Sequence, residues 1–170
     1  MIVSFTPEHA ENTIGQLTDL LRDAVDSGAS VGFMPPLGEA DARAYWRDVI
    51  GAMRQGRRIL LAATDGELIQ GAVQLDLEMR ANGNHRAEAM KLLVHRRARR
   101  RGLAKALLAE LEATARRLGR TLLTMDTRKG GEAEKICESL GYVRYGEVPG
   151  YARSGTGQLH TTVFYYRRLD

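Results

Sequence analysis

An arginine-rich segment between an apolar run and a long amphipathic pattern most constrains how this chain can fold. The segment consists of Arg99, Arg100, Arg101, Gly102, Leu103, Ala104 and Lys105. It comes after the apolar run Ala89–Val94, and a helical pattern of apolar residues begins at Leu103. This order predicts a strand, a cationic turn and a helix N-terminus. The first N–H groups of a helix lack partners within it, and the helix dipole favours an anion there. The sequence therefore predicts a phosphate site at this turn.

The glycine and the arginines of the turn both suit a phosphate. Gly102 has no Cβ, so the backbone can approach a ligand closely. The three arginines before it supply charge-assisted hydrogen bonds to phosphate oxygens. A nucleic-acid patch and a solvated surface loop stay open as alternatives for the same residues. The first alternative is weakened because no aromatic residues are interleaved for base stacking.

Composition limits the class of protein. The chain has 170 residues, 44% hydrophobic and 27% charged, which predicts one globular domain over 1–170. No apolar stretch approaches the ~18 residues of a membrane span, so no membrane partner is expected. The start has no basic segment or long apolar run, which argues against a signal peptide, and a lone cysteine fits a cytoplasmic location. The net charge of +4 suggests an anionic partner.

The spacing of apolar residues predicts a mixed α/β fold. The predicted strands are 2–6, 58–64, 67–79, 86–94, 120–126, 142–147 and 160–168, and the predicted helices are 7–26, 41–53, 103–118 and 132–140. Only 86–126 reads as a strand–helix–strand unit with parallel strands, which argues against a full doubly wound sheet.

Three stretches resemble one family. Residues 92–108 are similar, nearly residue for residue, to the acyl-CoA motif of GNAT-type N-acetyltransferases, and residues 133–142 resemble the last short helix of that family. Residues 28–36 and 146–152 resemble a bacterial subgroup that includes tabtoxin-resistance acetyltransferases. The resemblance covers essentially the whole chain. It implies a mostly antiparallel central sheet with a V-shaped splay, flanked by four helices.

The resemblance also implies a cofactor and a reaction. Acetyl-CoA would pair its pantetheine arm with the backbone of Leu92, Leu93 and Val94, and its diphosphate would lie on Arg99–Lys105. The implied reaction is direct attack by an amine on the thioester, through a tetrahedral intermediate. The expected acceptor is a small-molecule amine, such as a β-lactam antibiotic or toxin. A protein N-acetyltransferase and a catalytically silent acyl-CoA sensor stay open as alternatives, as do a monomer and a homodimer.

Four residues are candidates for proton transfer. Asp126 ends the strand after the central helix, and Glu88 lies on the strand before the arginine turn, on one face with Met90 and Leu92 if the strand alternates regularly. Either carboxylate, through water, is the candidate base. The candidate acid is Tyr151, on a loop, or Cys137, which stands where many family members have a tyrosine.

The acceptor pocket is expected in an apolar loop and the helix after it. Val31, Phe33 and Trp46, together with Tyr151, are the candidate acceptor-binding residues. The four histidines are scattered, and no spacing of His, Cys and Asp resembles a metal site, so no metal is expected.

Overall fold

The computed structural model describes residues 1–170. Its strands and helices follow the predicted order with one added break. In chain order they are β1 (Ile2–Ser4), α1 (Pro7–Asn12), α2 (Ile14–Asp26), α3 (Glu39–Arg54), β2 (Arg58–Asp65), β3 (Leu68–Leu77), β4 (Arg86–Val94), a 3-10 helix (Arg96–Ala98), α4 (Leu103–Arg117), β5 (Leu122–Arg128), α5 (Glu132–Ser139), β6 (Val143–Arg153) and β7 (Leu159–Arg168). None of the helices combines the length and apolar character needed to cross a membrane.

All seven strands form one mixed sheet in the order β1-β2-β3-β4-β5-β7-β6. Every neighbouring pair is antiparallel except β4 and β5, which are parallel and joined through α4. This confirms the predicted mixed α/β class and the mostly antiparallel sheet. The parallel pair places the N-terminus of α4 beside the ends of β4 and β5, as the strand–turn–helix pattern predicts.

Helices pack on both faces of the sheet and make two cores. The first core joins α1, α2 and α3 to β2, β3 and β4, and Trp46 is its largest buried side chain. The second core joins α4 and α5 to the opposite face, and it extends across the sheet to Val163 and Tyr165 of β7. No residue of β5, β6 or β7 belongs to the first core. On that face the helical layer therefore stops at β4, next to the parallel pair.

The first predicted helix is in fact two helices, which makes five rather than the expected four. The break lies at Thr13, whose backbone has φ −108° and ψ 14°. The Thr13 hydroxyl donates a hydrogen bond of 2.8 Å to the His9 carbonyl. A threonine side chain that bonds back to the preceding turn bends a helix, because it competes with the backbone ladder.

A β-bulge in β4 reverses which face its side chains occupy. Lys91 and Leu92 together lie opposite Val73 of β3, and Lys91 has a left-handed φ of 52°. Before the bulge Ala89 packs in the second core, and after it Leu93 packs in the first. The expectation that Leu92 shares a face with Glu88 and Met90 is therefore wrong, because one extra residue shifts the alternation.

The two parallel strands separate beyond their first residues. β4 pairs with β5 only along Arg86–Glu88, opposite Leu122–Thr124. Farther on, β4 remains paired with β3, and β5 remains paired with β7 up to Arg128. The result is a V-shaped gap in the middle of the sheet. Along this gap, the backbone groups of β4 that face β5 have no strand partner.

Candidate active site

A cavity of about 950 Å³ fills the gap between β4 and β5. One wall is β4 from Glu88 to Val94, and the other is β5 from Met125 to Arg128. The cavity ends at the first turn of α4, and the segment Ser27–Gly32 with Tyr151 borders it. Small-molecule sites are roughly 300–1,000 Å³, so this cavity is large enough for an extended ligand and part of a second one.

The end of the cavity at α4 has the geometry of an anion cradle. Gly102 precedes the helix in the left-handed conformation, with φ 77°, and no side chain caps the first turn. The N–H groups of Leu103, Ala104 and Lys105, which line the cavity, therefore have no capping acceptor. Arg100, with φ 61°, also lines the cavity at this turn. The helix dipole adds partial positive charge at the same place.

Asp23 anchors the beginning of the arginine segment. This buried carboxylate of α2 accepts a 2.9 Å hydrogen bond from the main-chain N–H of Arg96, and the Arg96 side chain bonds its other oxygen. The Arg99 guanidinium lies 3.9 Å from the same carboxylate. Asp23 therefore joins α2 to the cradle and sets where the cradle begins.

Further arginines of the segment bind groups of the protein itself. The Arg97 guanidinium donates to the Ile69 carbonyl at 3.2 Å, and Arg99 Nε donates to the Val94 carbonyl at 3.1 Å. Arg100 and Arg101 make no hydrogen bond or ion pair, and Arg101 does not line the cavity. Three of the five arginines thus shape the turn, which differs from a row of free side chains that follows a nucleic-acid backbone.

Three charged side chains lie where β4 and β5 separate. Glu88 and Lys91 of β4 and Asp126 of β5 line the cavity, and none of them makes an ion pair or a hydrogen bond to another side chain. Lys91 Nζ lies 6.0 Å from the centre of the Tyr45 ring, on the face covered by α3. The cavity therefore contains an acid–base cluster, defined here as Glu88, Lys91 and Asp126.

Partial desolvation shifts the pKa of each group, although Asp126 is exposed whereas Glu88 and Lys91 are half-buried. Desolvation raises the pKa of Glu88, and the charges of Asp126 and Asp76 add to the increase. Desolvation also raises the pKa of Asp126, although Lys91 opposes that change. Desolvation lowers the pKa of Lys91, and Asp126 opposes that change. Each shift favours the neutral form, which makes either carboxylate a better proton acceptor at neutral pH than an exposed one.

Tyr151 lies in a bulge of β6 rather than on the expected free loop. Val148 pairs with Thr162 and Ala152 with His160, so the three residues between Val148 and Ala152 lie opposite one residue of β7. The Tyr151 ring packs edge-on against Phe164, with 5.3 Å between ring centres, and its side chain borders the cavity. Its hydroxyl makes no hydrogen bond within the protein.

Comparison with protein families decides the class of this site. The model of the Acetyltransferase (GNAT) family matches residues 20–157, which is most of the chain. The chain belongs to the GNAT acetyltransferase family. The matched residues include those of the anion cradle, the acid–base cluster and Tyr151. The main residues around the cavity of this GNAT acetyltransferase therefore belong to the part of the chain that defines the family.

Solved structures share the fold at low identity. The yncA acetyltransferase from Salmonella typhimurium, with its cofactor acetyl-CoA, has a TM-score of 0.80 at 18% identity, covering 100% of this chain and 94% of that one. Ribosomal-protein-alanine N-acetyltransferase from Brucella melitensis has a TM-score of 0.81 at 20% identity and 99% coverage of both chains. Phosphinothricin acetyltransferase from Sinorhizobium meliloti, in complex with AcCoA, has a TM-score of 0.78 at 19% identity, covering 99% of this chain and 87% of that one.

Cys137 is too deeply buried to act as an acid in this GNAT fold. The side chain has no exposed area, and it packs in the second core with its Sγ 3.5 Å from Met125 Sδ. Burial raises the pKa of the Cys137 thiol to about 11. The expectation that Cys137 serves as an alternative acid is wrong, because the thiol does not reach the cavity.

The acceptor-binding candidates separate into three positions. Val31 lines the main cavity. Phe33 instead lines a small neighbouring pocket, and its ring also packs edge-on against Tyr45. Trp46 has no exposed area and packs in the first core. The expectation that Trp46 contacts an acceptor is wrong, because its position on α3 turns it toward the sheet.

Sequence reasoning missed Asp23 and Lys91. Asp23 lies on the buried side of α2, among the apolar residues of that helix. A charged residue at such a core position usually has a partner, and this could have indicated its role from the sequence. Lys91 interrupts the apolar run of β4, and a charge within such a run was the corresponding signal. No group of three or more His, Cys, Asp or Glu side chains is arranged to hold a metal ion.

Proposed function

We propose that the protein is an acetyl-CoA-dependent N-acetyltransferase that acetylates the amine of a small molecule. The observation that carries this proposal is the junction of two features, the gap between β4 and β5 and the uncapped N-terminus of α4 at its end. A ligand with a diphosphate group and a long peptide-like arm fits both at once. The proposed site of action is the cytoplasm, where the single thiol of Cys137 stays reduced.

The residues of the cavity fit acetyl-CoA. Arg99, Arg100 and the first-turn N–H groups of α4 would hold the diphosphate. The edge of β4 that faces the gap has no strand partner, and the backbone of Leu92, Leu93 and Val94 would bind the pantetheine amides there as an added strand. The Val94 carbonyl already accepts a hydrogen bond from Arg99 Nε, so Arg99 links this edge to the cradle. Arg101 and Lys105 would contribute charge at the rim. Fit is also supported by Gly102, where nothing lies within 4 Å of the position a Cβ would take.

When bound, acetyl-CoA supplies the acetyl thioester that the acceptor amine attacks. Backbone N–H groups of β4 that face the gap near the bulge at Lys91 would polarise the carbonyl oxygen. Glu88, helped by Asp126, would accept the proton of the amine, directly or through water. The Tyr151 hydroxyl would donate a proton to the departing sulfur. Binding in the gap brings amine and thioester together, which contributes much of the rate enhancement.

The walls of the cavity favour a small acceptor over a polypeptide. The segment Ser27–Gly32 and the bulge of β6 at Tyr151 border the cavity, and Pro35 approaches Gly155 of the β6–β7 turn closely. We expect the segment Ser27–Gly32 and the bulge at Tyr151 to leave less room for an extended peptide than for a small molecule. The resemblance of residues 28–36 and 146–152 to tabtoxin-resistance acetyltransferases, together with the fold shared with phosphinothricin acetyltransferase, supports an antibiotic or toxin amine.

The test is release of free CoA from acetyl-CoA across a panel of amines, with the acetylated product identified by mass spectrometry. The proposal expects amine-dependent release with at least one small molecule. Release of CoA with peptides that carry a free N-terminus, but with no small amine, would favour a protein acceptor. This alternative is included because the chain shares its fold with a ribosomal-protein-alanine N-acetyltransferase. CoA binding without release from any amine would indicate an acyl-CoA sensor.

A further inference from the structure

We propose that the acceptor is a zwitterion, in which an anionic group such as a carboxylate lies close to the reacting amine. In this assignment the Lys91 ammonium group binds the anionic group of the acceptor, and the carboxylates of Glu88 and Asp126 bind its amine. The inference rests on the proposed function and deepens it by naming the class of acceptor.

Lys91 differs from every other lysine of the chain. It is half-buried, whereas the other three lysines, at 105, 129 and 135, are exposed. Its Nζ lies 3.5 Å from the position a Cβ would take at Gly32 and faces the Tyr45 ring. Tyr45 is itself held by a 2.9 Å hydrogen bond from Gln74 Nε2. The ammonium group is thus kept at the cavity wall without an acidic partner of its own.

Glu88 differs in the same way from the other carboxylates. Every other Asp or Glu that is not on the exposed surface takes part in an ion pair, and Glu88 does not. The contrast is sharpest with Asp76, its cross-strand neighbour on β3. Asp76 is bound by the Arg58 guanidinium at 2.6 Å. Glu88 lies one strand closer to the gap, where it lines the cavity and has no cationic partner.

Unpaired charges away from bulk water are unfavourable unless a ligand satisfies them. Glu88 and Lys91 lie on one strand, yet they do not form an ion pair with each other. The bulge changes the direction of the strand between them. A molecule with an amine near Glu88 and an anionic group near Lys91 would satisfy both half-buried charges, and its amine would also face the exposed carboxylate of Asp126 in the same cavity.

The same arrangement disfavours two other classes of amine. A polyamine would bring a second cation toward Lys91, where like charges repel. A monoamine without an anionic group would leave Lys91 unsatisfied. The cluster therefore selects an acceptor that carries one positive and one negative group. The rest of the acceptor would lie in the apolar part of the cavity, at Val31 and Ile136.

The experiment compares matched acceptors. Each α-amino acid of a panel is paired with the amine that lacks only its carboxylate, and kcat/KM is measured for both. Wild-type protein is expected to prefer at least one amino acid over its partner amine by tenfold or more. Lys91→Met, which keeps the length of the side chain but removes its charge, is expected to lose that preference through a higher KM for the amino acid.

Lys135→Met is the matched control, because Lys135 is exposed on α5, pairs with Glu132 and does not line the cavity. It is expected to keep the wild-type preference. Titration with CoA verifies that Lys91→Met is folded. Equal use of both members of every pair by the wild type, or an unchanged preference in Lys91→Met, would overturn the inference and leave an N-acetyltransferase. Absence of turnover with every amine would instead overturn the proposed function.

Discussion

The main-chain N–H of Arg96 donates a 2.9 Å hydrogen bond to Oδ2 of Asp23, so a buried carboxylate of α2 holds the entrance to the anion cradle. Its other oxygen binds the Arg96 side chain. One carboxylate thus satisfies a backbone donor and a cation at the same time. The position of the cradle therefore depends on a helix that is distant from it in sequence.

Asp23→Ala should weaken the binding of CoA and destabilise the fold. Loss of the carboxylate leaves a backbone donor without its acceptor, which costs about 1–3 kcal/mol of the free energy of unfolding. We expect the Kd for CoA to rise roughly tenfold, or ~1.4 kcal/mol. Urea unfolding and calorimetric titration measure the two effects. Asp19→Ala, on the exposed side of the same helix, is the control, and equal Kd values in both variants would contradict the anchoring role.

Glu88→Gln should remove most of the catalytic rate. A positioned general base contributes roughly 10²–10⁴-fold, so kcat should fall by at least 10² while the Kd for CoA stays within about twofold. Because burial raises the pKa of Glu88, the acidic limb of the kcat/KM profile should lie above the range of an ordinary carboxyl group. A profile from pH 5 to 9 measures this limb. A full rate in Glu88→Gln would assign the proton to another group.

The same variant should change how stability depends on pH. Since the pKa of Glu88 is raised in the folded state, the folded protein binds more protons than the unfolded chain, and this contribution to stability is lost as pH rises through the folded pKa. Glu88→Gln should therefore show a smaller loss of stability toward neutral pH. Thermal unfolding at several pH values tests the sign, and an identical pH dependence in both proteins would refute it.

Cys137 and Tyr151 should respond in opposite ways to substitution. Cys137→Ala should leave kcat within about twofold and lower the free energy of unfolding by about 1 kcal/mol, because the thiol packs in the second core. Tyr151→Phe should lower kcat without a measurable loss of stability, because its hydroxyl makes no hydrogen bond within the protein. Steady-state kinetics and urea unfolding separate the two. A large loss of kcat in Cys137→Ala would contradict the structural role.

Local signals predicted the elements that hold the proposed cofactor. The apolar run of β4, the positive-φ glycine at 102 and the amphipathic period of α4 all act within one stretch of chain. Sequence periodicity therefore predicted correctly where β4 ends and α4 begins, and the phosphate site between them stays a prediction. The mixed sheet followed from the same patterns.

Features that depend on pairing between distant strands escaped prediction. The bulge at Lys91 is a property of strand pairing, since two residues of β4 lie opposite Val73 of β3. No pattern within β4 alone indicates it. That bulge alone moved Leu92 to the other face. Trp46 was misplaced because a large aromatic side chain on an amphipathic helix suits both a pocket and a core, and only the packing of α3 on the sheet distinguishes them. Asp23 required the contact between α2 and the arginine segment.

Calorimetric titration of the intact protein with CoA, alongside Gly102→Glu and Gly119→Glu, tests the anion cradle directly. Both glycines have a left-handed φ with open space around them, and they lie at opposite ends of α4, so the two variants share the same backbone strain and added charge. We expect saturable binding at one site that Gly102→Glu weakens by at least tenfold, while Gly119→Glu binds as the wild type does. No heat with the wild type, or equal affinity in both variants, would contradict this expectation.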